Sequence, residues 1–318
     1  MPWQRVLPPA PLAIAIHDLS AEPVQALMQR LDEEAATPFD LAHGPLLRVS
    51  LFKCAGDEHV LGLMLHHIVS DGWSMGVMMR ELANAYNARV RGEPLHLEAL
   101  PVQYADYAAW QRKRLAQGLQ QAQLEYWKDQ LEDDFAVLEL PADRSRPKEQ
   151  SHQGGRIDIR LPDTLASGLR ELAVQHNATL FHVLLAAFAI VLSRYSGKPK
   201  VNIGIPVTNR NRLELEGLIG FFVNTLVARV GIDPALTFSQ LLEAVKDTAL
   251  QAQANKDVPF DALVDELKPE RGLGYNPLFQ VMYNHLRDVG GQVSADSLHG
   301  LHVEEIDLVE QTAHFDIS

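Results

Sequence analysis

The sequence predicts a mixed α/β fold of the α+β kind, and three observations predict it. Apolar residues recur at helical spacing in several stretches and alternate with a period of two in others. The two kinds of stretch follow one another without a regular βαβ alternation. No glycine-rich phosphate loop opens any helix, so dinucleotide and nucleotide binding are not expected. At 318 residues the chain is long enough for two lobes of ordinary size or for one large domain. With 47% hydrophobic and 22% charged residues it can bury substantial cores.

The elements follow in order. Pro2, Pro8, Pro9 and Pro11 give an extended lead-in. Residues 21–36 read as a helix with Val24, Leu27, Met28 and Leu31 on one face. Leu47, Val49 and Leu51 alternate with Arg48, Ser50 and Phe52, which predicts a strand with one preferred core face. After the turn Ala55-Gly56-Asp57, the nearly apolar run 60–65 reads as a central strand covered on both sides. Ser74 is placed to cap a helix carrying Met78, Leu82, Ala85 and Tyr86. Tyr104, Tyr107 and Trp110 mark a second helical stretch, expected to pack rather than to touch substrate, and Tyr126, Trp127 and Leu131 a third.

Residues 141–155 are proline-rich and charged and read as a connector. A strand through Ile157, Ile159 and Leu161 is expected next, then a helix with Leu165, Leu169 and Leu172 and a long apolar helix from Thr179. Val201, Ile203, Ile205 and Val207 alternate as a strand, 222–230 reads as another, 238–254 as an amphipathic helix and 279–283 as a late strand.

Composition removes several classes of function. A net charge of −13 with no dense basic run argues against nucleic-acid binding. Cys54 is the single cysteine, so neither an internal disulfide nor a cysteine-built zinc site is expected, which fits a reducing cytoplasm. The start has no signal-peptide architecture, and the longest apolar stretch, 180–192, is too short to span a bilayer and contains His182.

The informative feature is His66-His67-x-x-x-Asp71-Gly72 at the end of an expected buried strand. A histidine there can accept a proton near neutral pH or position a reactant. Asp71 can partner the imidazole or fix the loop through a distant arginine. Gly72 allows a close approach of backbone to substrate, or a turn that a Cβ forbids. Paired histidines at a strand end are also often satisfied core residues. A shared metal is disfavoured because neighbours on a strand point to opposite faces. A serine hydrolase is excluded by the lack of a Gly-x-Ser-x-Gly elbow.

These residues resemble a known family. His66-His67-Ile68-Val69-Ser70-Asp71-Gly72-Trp73-Ser74 is similar to the signature of the condensation domains of non-ribosomal peptide synthetases, within the wider superfamily of chloramphenicol acetyltransferase. Five further strings agree in order. They are Pro38-Phe39-Asp40-Leu41 with Gly44-Pro45-Leu46-Leu47-Arg48, Tyr104-Ala105-Asp106-Tyr107 with Trp110-Gln111, Ile219-Gly220-Phe221-Phe222-Val223-Asn224-Thr225, Pro259-Phe260, and Asn276-Pro277-Leu278-Phe279-Gln280-Val281.

The resemblance implies two chloramphenicol acetyltransferase-like lobes forming a pseudo-dimer, with the active site in a tunnel between them. The first lobe, incomplete at its start, falls at 1–100. Connecting helices and the second lobe, incomplete at its end, fall at 101–318. The implied reaction is attack of a carrier-bound aminoacyl amine on an upstream carrier-bound acyl thioester. His67 is then the catalytic histidine, and the backbone N–H of Gly72 helps hold the oxyanion. His66, Asp71 and Arg210 support the site, Asp71 pairing with Arg210. Trp73, Ser74 and Asn224 are candidates to line the tunnel, Asn224 equally for bonding backbone.

The implied partners are donor and acceptor peptidyl carrier proteins and a neighbouring adenylation domain. Substrates ride on phosphopantetheine arms, and no cofactor or metal is bound by the chain itself. The family's earliest serine- and arginine-containing motif is missing, and the sequence stops at Phe315-Asp316-Ile317-Ser318, before the closing strands of a full domain. Sheet edges left unpaired and an incomplete tunnel are therefore expected, and with them doubtful activity of this polypeptide.

Ser70-Asp71-Gly72-Trp73-Ser74 together with Phe221-Phe222-Val223-Asn224 most resembles the subclass taking an L-configured donor, with a dual condensing and epimerising type as its neighbour. A coenzyme A-dependent acyltransferase and a catalytically silent carrier-docking module are the alternatives. The sequence does not name the amino acids joined.

Overall fold

The structure is a computed structural model, and it describes residues 3–131, 137–269, 272, 274–286, 298–308 and 312–318. The chain divides into two compact units. The first comprises Met1–Leu97, Ile219–Phe221 and Gly291–Leu308, and the second Glu98–Leu218, Phe222–Gly290 and Val309–Ser318.

In the first unit, β1 (Ile14–Asp18), β2 (Leu47–Lys53) and β3 (His59–Leu65) form a sheet in the order β1-β2-β3. β1 runs parallel and β3 antiparallel to β2, with Leu47 opposite Leu65 and Lys53 opposite His59. α1 (Val24–Ala36) packs Leu27 and Leu31 on Phe52. It begins three residues later than the apolar spacing suggests, because Pro23 occupies the N-cap. The expectation for β2 is corrected as well. The face toward α1 carries Arg48, Ser50 and the fully buried Phe52, and polar bonds supplement the apolar contact. Arg48 donates to the carbonyls of Glu34 (2.9 Å) and Thr37 (2.6 Å), neutralising the C-terminal end of α1, and Ser50 Oγ donates to Glu34 Oε1 at 2.7 Å.

The run 60–65 is an edge strand among the described residues rather than a central one, since β2 takes the middle by pairing on both sides. Leu61 accordingly remains 45% exposed. From β3 the chain passes through a short 3-10 turn, His67–Val69, into α2 (Gly72–Arg91), which stops at Gly92 in a left-handed conformation with φ 69°.

The second unit holds α3 (Tyr104–Ala116), α4 (Gln121–Leu131), α5 (Asp163–Gln175), α6 (Leu180–Ser196), β4 (Lys200–Thr208), β5 (Val223–Gly231), α7 (Phe238–Ala254), α8 (Phe260–Leu267) and β6 (Val281–Met282). Its sheet has the order β5-β4-β6, antiparallel then parallel. The main core brings Val183, Leu185, Ala186, Ala189 and Leu192 of α6 and Leu241, Leu242 and Val245 of α7 together with Val201, Ile203 and Val230. That packing explains why α6 is apolar almost all round. No single helix among the described residues is long and apolar enough to cross a membrane.

Helix starts follow local chemistry. Thr179 with His182 and Thr237 with Gln240 form capping boxes at α6 and α7. Two expectations are corrected in this unit. Residues 157–161 are not a strand: Ile157 and Ile159 alternate with polar neighbours but lie largely exposed, without a ladder partner among the described residues. The late strand shrinks to Val281–Met282, because Phe279 turns into the core and the buried Gln280 bonds non-sheet backbone through Leu138 N (2.6 Å) and Asn276 O (2.8 Å).

Candidate active site

The two histidines stand just beyond the end of β3, at the entrance of the turn, and they are oriented oppositely. His67 Nδ1 lies 2.7 Å from the carbonyl oxygen of Ser70. A carbonyl only accepts, so Nδ1 carries the proton and Nε2 is left with a free lone pair. His66 Nδ1 instead accepts from Ile68 N at 3.0 Å, which places the proton of the neutral ring on Nε2. The neighbours therefore hold opposite tautomers, and the lone pair of His67, an exposed residue, is on Nε2.

Each ring also meets an aromatic edge: Phe39 against His66 at 5.8 Å and 89°, Phe221 against His67 at 5.3 Å and 88°. Phe39 is held from below by the Arg48 guanidinium, 3.9 Å from its ring centroid, and Arg48 also donates to Pro38 O. The Pro38-Phe39 string is thereby tied to β2 and to His66.

Asp71 is the N-cap of α2, the role expected of Ser74. Its Oδ1 accepts from Ser74 N at 2.8 Å and lies 2.7 Å from Ser74 Oγ. Both residues are buried, Ser74 to 1% exposure. Ser74 Oγ also lies 2.8 Å from Gly220 O and accepts from Gly220 N at 3.0 Å. It is an internal anchor, which corrects its placement among tunnel-lining residues. Trp73, at the same turn, keeps 36% of its surface exposed.

Gly72 opens α2 without a positive φ, and a Cβ built on it would meet nothing within 4 Å. The reading that Gly72 serves a turn forbidden to other residues is thus corrected. As the first helical residue it has no intrahelical acceptor for its N–H.

In the second unit, Arg210 is buried. It donates Nη1 to Leu215 O (2.5 Å) and Leu218 O (2.8 Å), with the guanidinium 3.9 Å from the Phe222 ring centroid. Phe222 in turn packs on Tyr104 (5.1 Å) and Tyr107 (4.8 Å), so these tyrosines are packing residues as expected. Burial pushes the Tyr107 hydroxyl up to about 12. Trp110 differs, being partly exposed with Arg114 and Arg212 over its ring.

Asn224 is buried. It donates to Lys256 O (2.8 Å) and Val258 O (2.7 Å) and accepts from Phe260 N (3.0 Å). Of its two expected roles, bonding backbone is the one observed. Sequence reasoning gives no role to Phe221, Phe39 or the Ser70 carbonyl. Phe221 lies within Ile219-Gly220-Phe221-Phe222-Val223-Asn224-Thr225, but no local pattern links it to a histidine so far along the chain.

An α+β fold of small mixed sheets, presenting a histidine from the turn after a strand, defines a protein of the chloramphenicol acetyltransferase-like class. The X-domain from teicoplanin biosynthesis superposes with TM-score 0.81 at 30% identity, over 88% of this chain and 62% of that one. The four-domain non-ribosomal peptide synthetase AB3403, bound to AMP and glycine, superposes with TM-score 0.82 at 26% identity, over 91% of this chain and 22% of that one.

Within the class, the chain belongs to the condensation domain family, whose model matches residues 1–318. It is 42% identical over 316 residues to malpinin synthetase of Mortierella alpina, covering 99% of this chain and 4% of that protein. It is 43% identical over 258 residues to phosphinothricin tripeptide synthetase PhsC of Streptomyces viridochromogenes, covering 81% of this chain and 24% of that protein. The chain thus spans only a small part of these relatives.

Proposed function

We propose that the chain forms an amide between two carrier-bound substrates, with His67 as the catalytic base. The observation that carries this reading is the Nδ1–Ser70 bond, which fixes the tautomer and leaves the lone pair on Nε2 of an exposed residue. The conjugate acid of an α-amine has a pKa of about 8, so a fraction is neutral and nucleophilic at neutral pH. A group is needed to take the one proton that this neutral nitrogen sheds on acylation. In the step proposed, the acceptor's nitrogen attacks the donor's thioester carbon as His67 Nε2 removes the nitrogen's proton. The C–N bond forms, the C–S bond breaks, and the proton passes to the departing thiolate. The Gly72 N–H faces the developing oxyanion.

The donor and acceptor ride on the phosphopantetheine arms of upstream and downstream carrier proteins, beside an adenylation domain in a cytoplasmic synthetase. The motif strings favour an L-configured donor. Asp71 with Arg210 is proposed as a supporting pair, and the lobes are proposed to divide near residue 100. Single-turnover amide formation between two aminoacyl-loaded carrier proteins tests the reading. Product from the native chain and none from His67→Ala is expected, whereas equal product from both overturns it.

One observation favours a second reading, the docking of a partner protein on this fold. The X-domain from teicoplanin biosynthesis, solved in a complex with OxyB, superposes with TM-score 0.77 at 30% identity, over 86% of this chain and 60% of that one. Carrier binding without product from either chain supports that reading instead.

A further inference from the structure

We propose that Phe221 is the positioning residue that holds the His67 imidazole in its working orientation, and that Ser74 holds Phe221 in place. The inference rests on the reading above, in which His67 takes the proton. One hydrogen bond at Nδ1 leaves the ring free to rock about it, because the second side-chain torsion of histidine has a broad, shallow profile. Phe221 limits that rocking. Its ring meets His67 at 5.3 Å between centroids and 88° between planes, an arrangement that aromatic pairs prefer. Turning the imidazole over would place carbon instead of Nδ1 at the Ser70 carbonyl and lose the 2.7 Å bond, so the two restraints select one orientation together.

Two adjacent phenylalanines show that Phe221 is not simply core. Phe222 is 1% exposed and packs within the second unit, whereas Phe221 is 37% exposed and belongs to the first. The three residues Ile219–Phe221 join the first unit although the sequence on either side joins the second. Their described anchor is Ser74, 146 residues earlier, which bonds both the N–H and the carbonyl of Gly220 (3.0 and 2.8 Å). Ser74 is fixed in turn by the Asp71 cap at 2.7 Å. The path from Asp71 through Ser74 and Gly220 to Phe221 therefore returns to His67. The helix cap that ends the histidine motif also sets the ring against which its histidine rests.

The test uses the whole chain with Phe221→Leu, Phe221→Tyr and Ser74→Ala, read in two ways. Nitrogen-15 NMR of the His67 ring reports the tautomer without any substrate. Single-turnover amide formation reports the rate, and titration with the acceptor carrier reports binding. Phe221→Leu is expected to mix the two tautomers and slow the reaction about tenfold with carrier affinity unchanged, while Phe221→Tyr keeps the native tautomer and most of the rate. Ser74→Ala is expected to act as Phe221→Leu does. Phe221 is partly exposed, so its leucine variant still decides the matter if the buried Ser74→Ala chain fails to fold. A Phe221→Leu protein with the native tautomer and rate overturns the proposal. A shifted tautomer in Phe221→Leu, with His67→Ala fully active, supports positioning and sinks the catalytic reading instead.

Discussion

The two sheets of this protein solve different problems. In the first unit, β3 is an edge with Leu61 half in solvent, and the cluster around Phe52 is small, helped by Arg48 and Ser50 bonding to the end of α1. In the second unit, β4 is buried at Val201, Ile203, Gly204 and Ile205 between β5 and β6, under the apolar faces of α6 and α7. Their buried polar groups differ too. Asn224 and Gln280 close loops onto backbone, while Asp71 and Ser74 brace the start of the helix that follows the His67 turn. The lesson is one of economy: a short polar brace holds the turn that carries the histidines, and no residue of that turn belongs to the larger apolar core.

The largest expected effect breaks the second unit without touching the histidine. Asn224→Leu leaves Phe260 N, Lys256 O and Val258 O without their present partner in a buried setting. At about 1–3 kcal/mol for each orphaned group, a loss on the order of 4 kcal/mol is expected, measured as a drop in urea midpoint. A change below about 1 kcal/mol would mean that the loop is held by something other than this amide.

Next is Gly204→Ala. A Cβ there would sit 2.3 Å from Phe279 Cε2, and Phe279 is itself buried. Overpacking of this kind costs about 1–3 kcal/mol, and Phe279→Leu in the same chain should recover part of it in thermal unfolding. Failure of that rescue would place the strain elsewhere.

Gly72→Ala sharpens the contrast from the other side. Open space surrounds the new methyl and the position is helical, so stability should change by no more than about 0.5 kcal/mol. Amide formation should nevertheless fall about tenfold, because the methyl enters space proposed for the reacting carbonyl. Full activity of this variant would remove Gly72 from the site.

Much of this is legible in the sequence, and the parts that are not share a cause. The helix from Thr179 and the one read over 238–254 are legible because their apolar periodicity is local. The motif and its helix are readable too, but the sequence points to Ser74 as the cap instead of Asp71, since both residue types cap well and only the backbone distinguishes them. The 157–161 segment alternates as a strand does, yet a strand needs a partner that its own residues do not specify. The centrality of β3 fails for the same reason, because an apolar run reports coverage and not its place in the ladder. The contact of Phe221 with His67 joins residues that no local pattern connects.

The smallest effect concerns a clamp of the second unit that titrates. His182 Nδ1 accepts from Thr179 N at 3.1 Å within the capping box of α6. Burial, with a smaller contribution from Lys246, holds its pKa below the ordinary value of 6.5. The folded protein therefore binds this proton less readily than the unfolded chain. Its contribution is fully present above pH 6.5 and is lost as pH falls from there through the lowered folded value. His182→Gln keeps an acceptor at the same helical position and cannot titrate, so its melting temperature should fall less between pH 7.5 and pH 5.5, by roughly one or two degrees. Equal shifts in the two proteins would assign the acid sensitivity to other groups, and leave the clamps of the second unit indifferent to pH in this range.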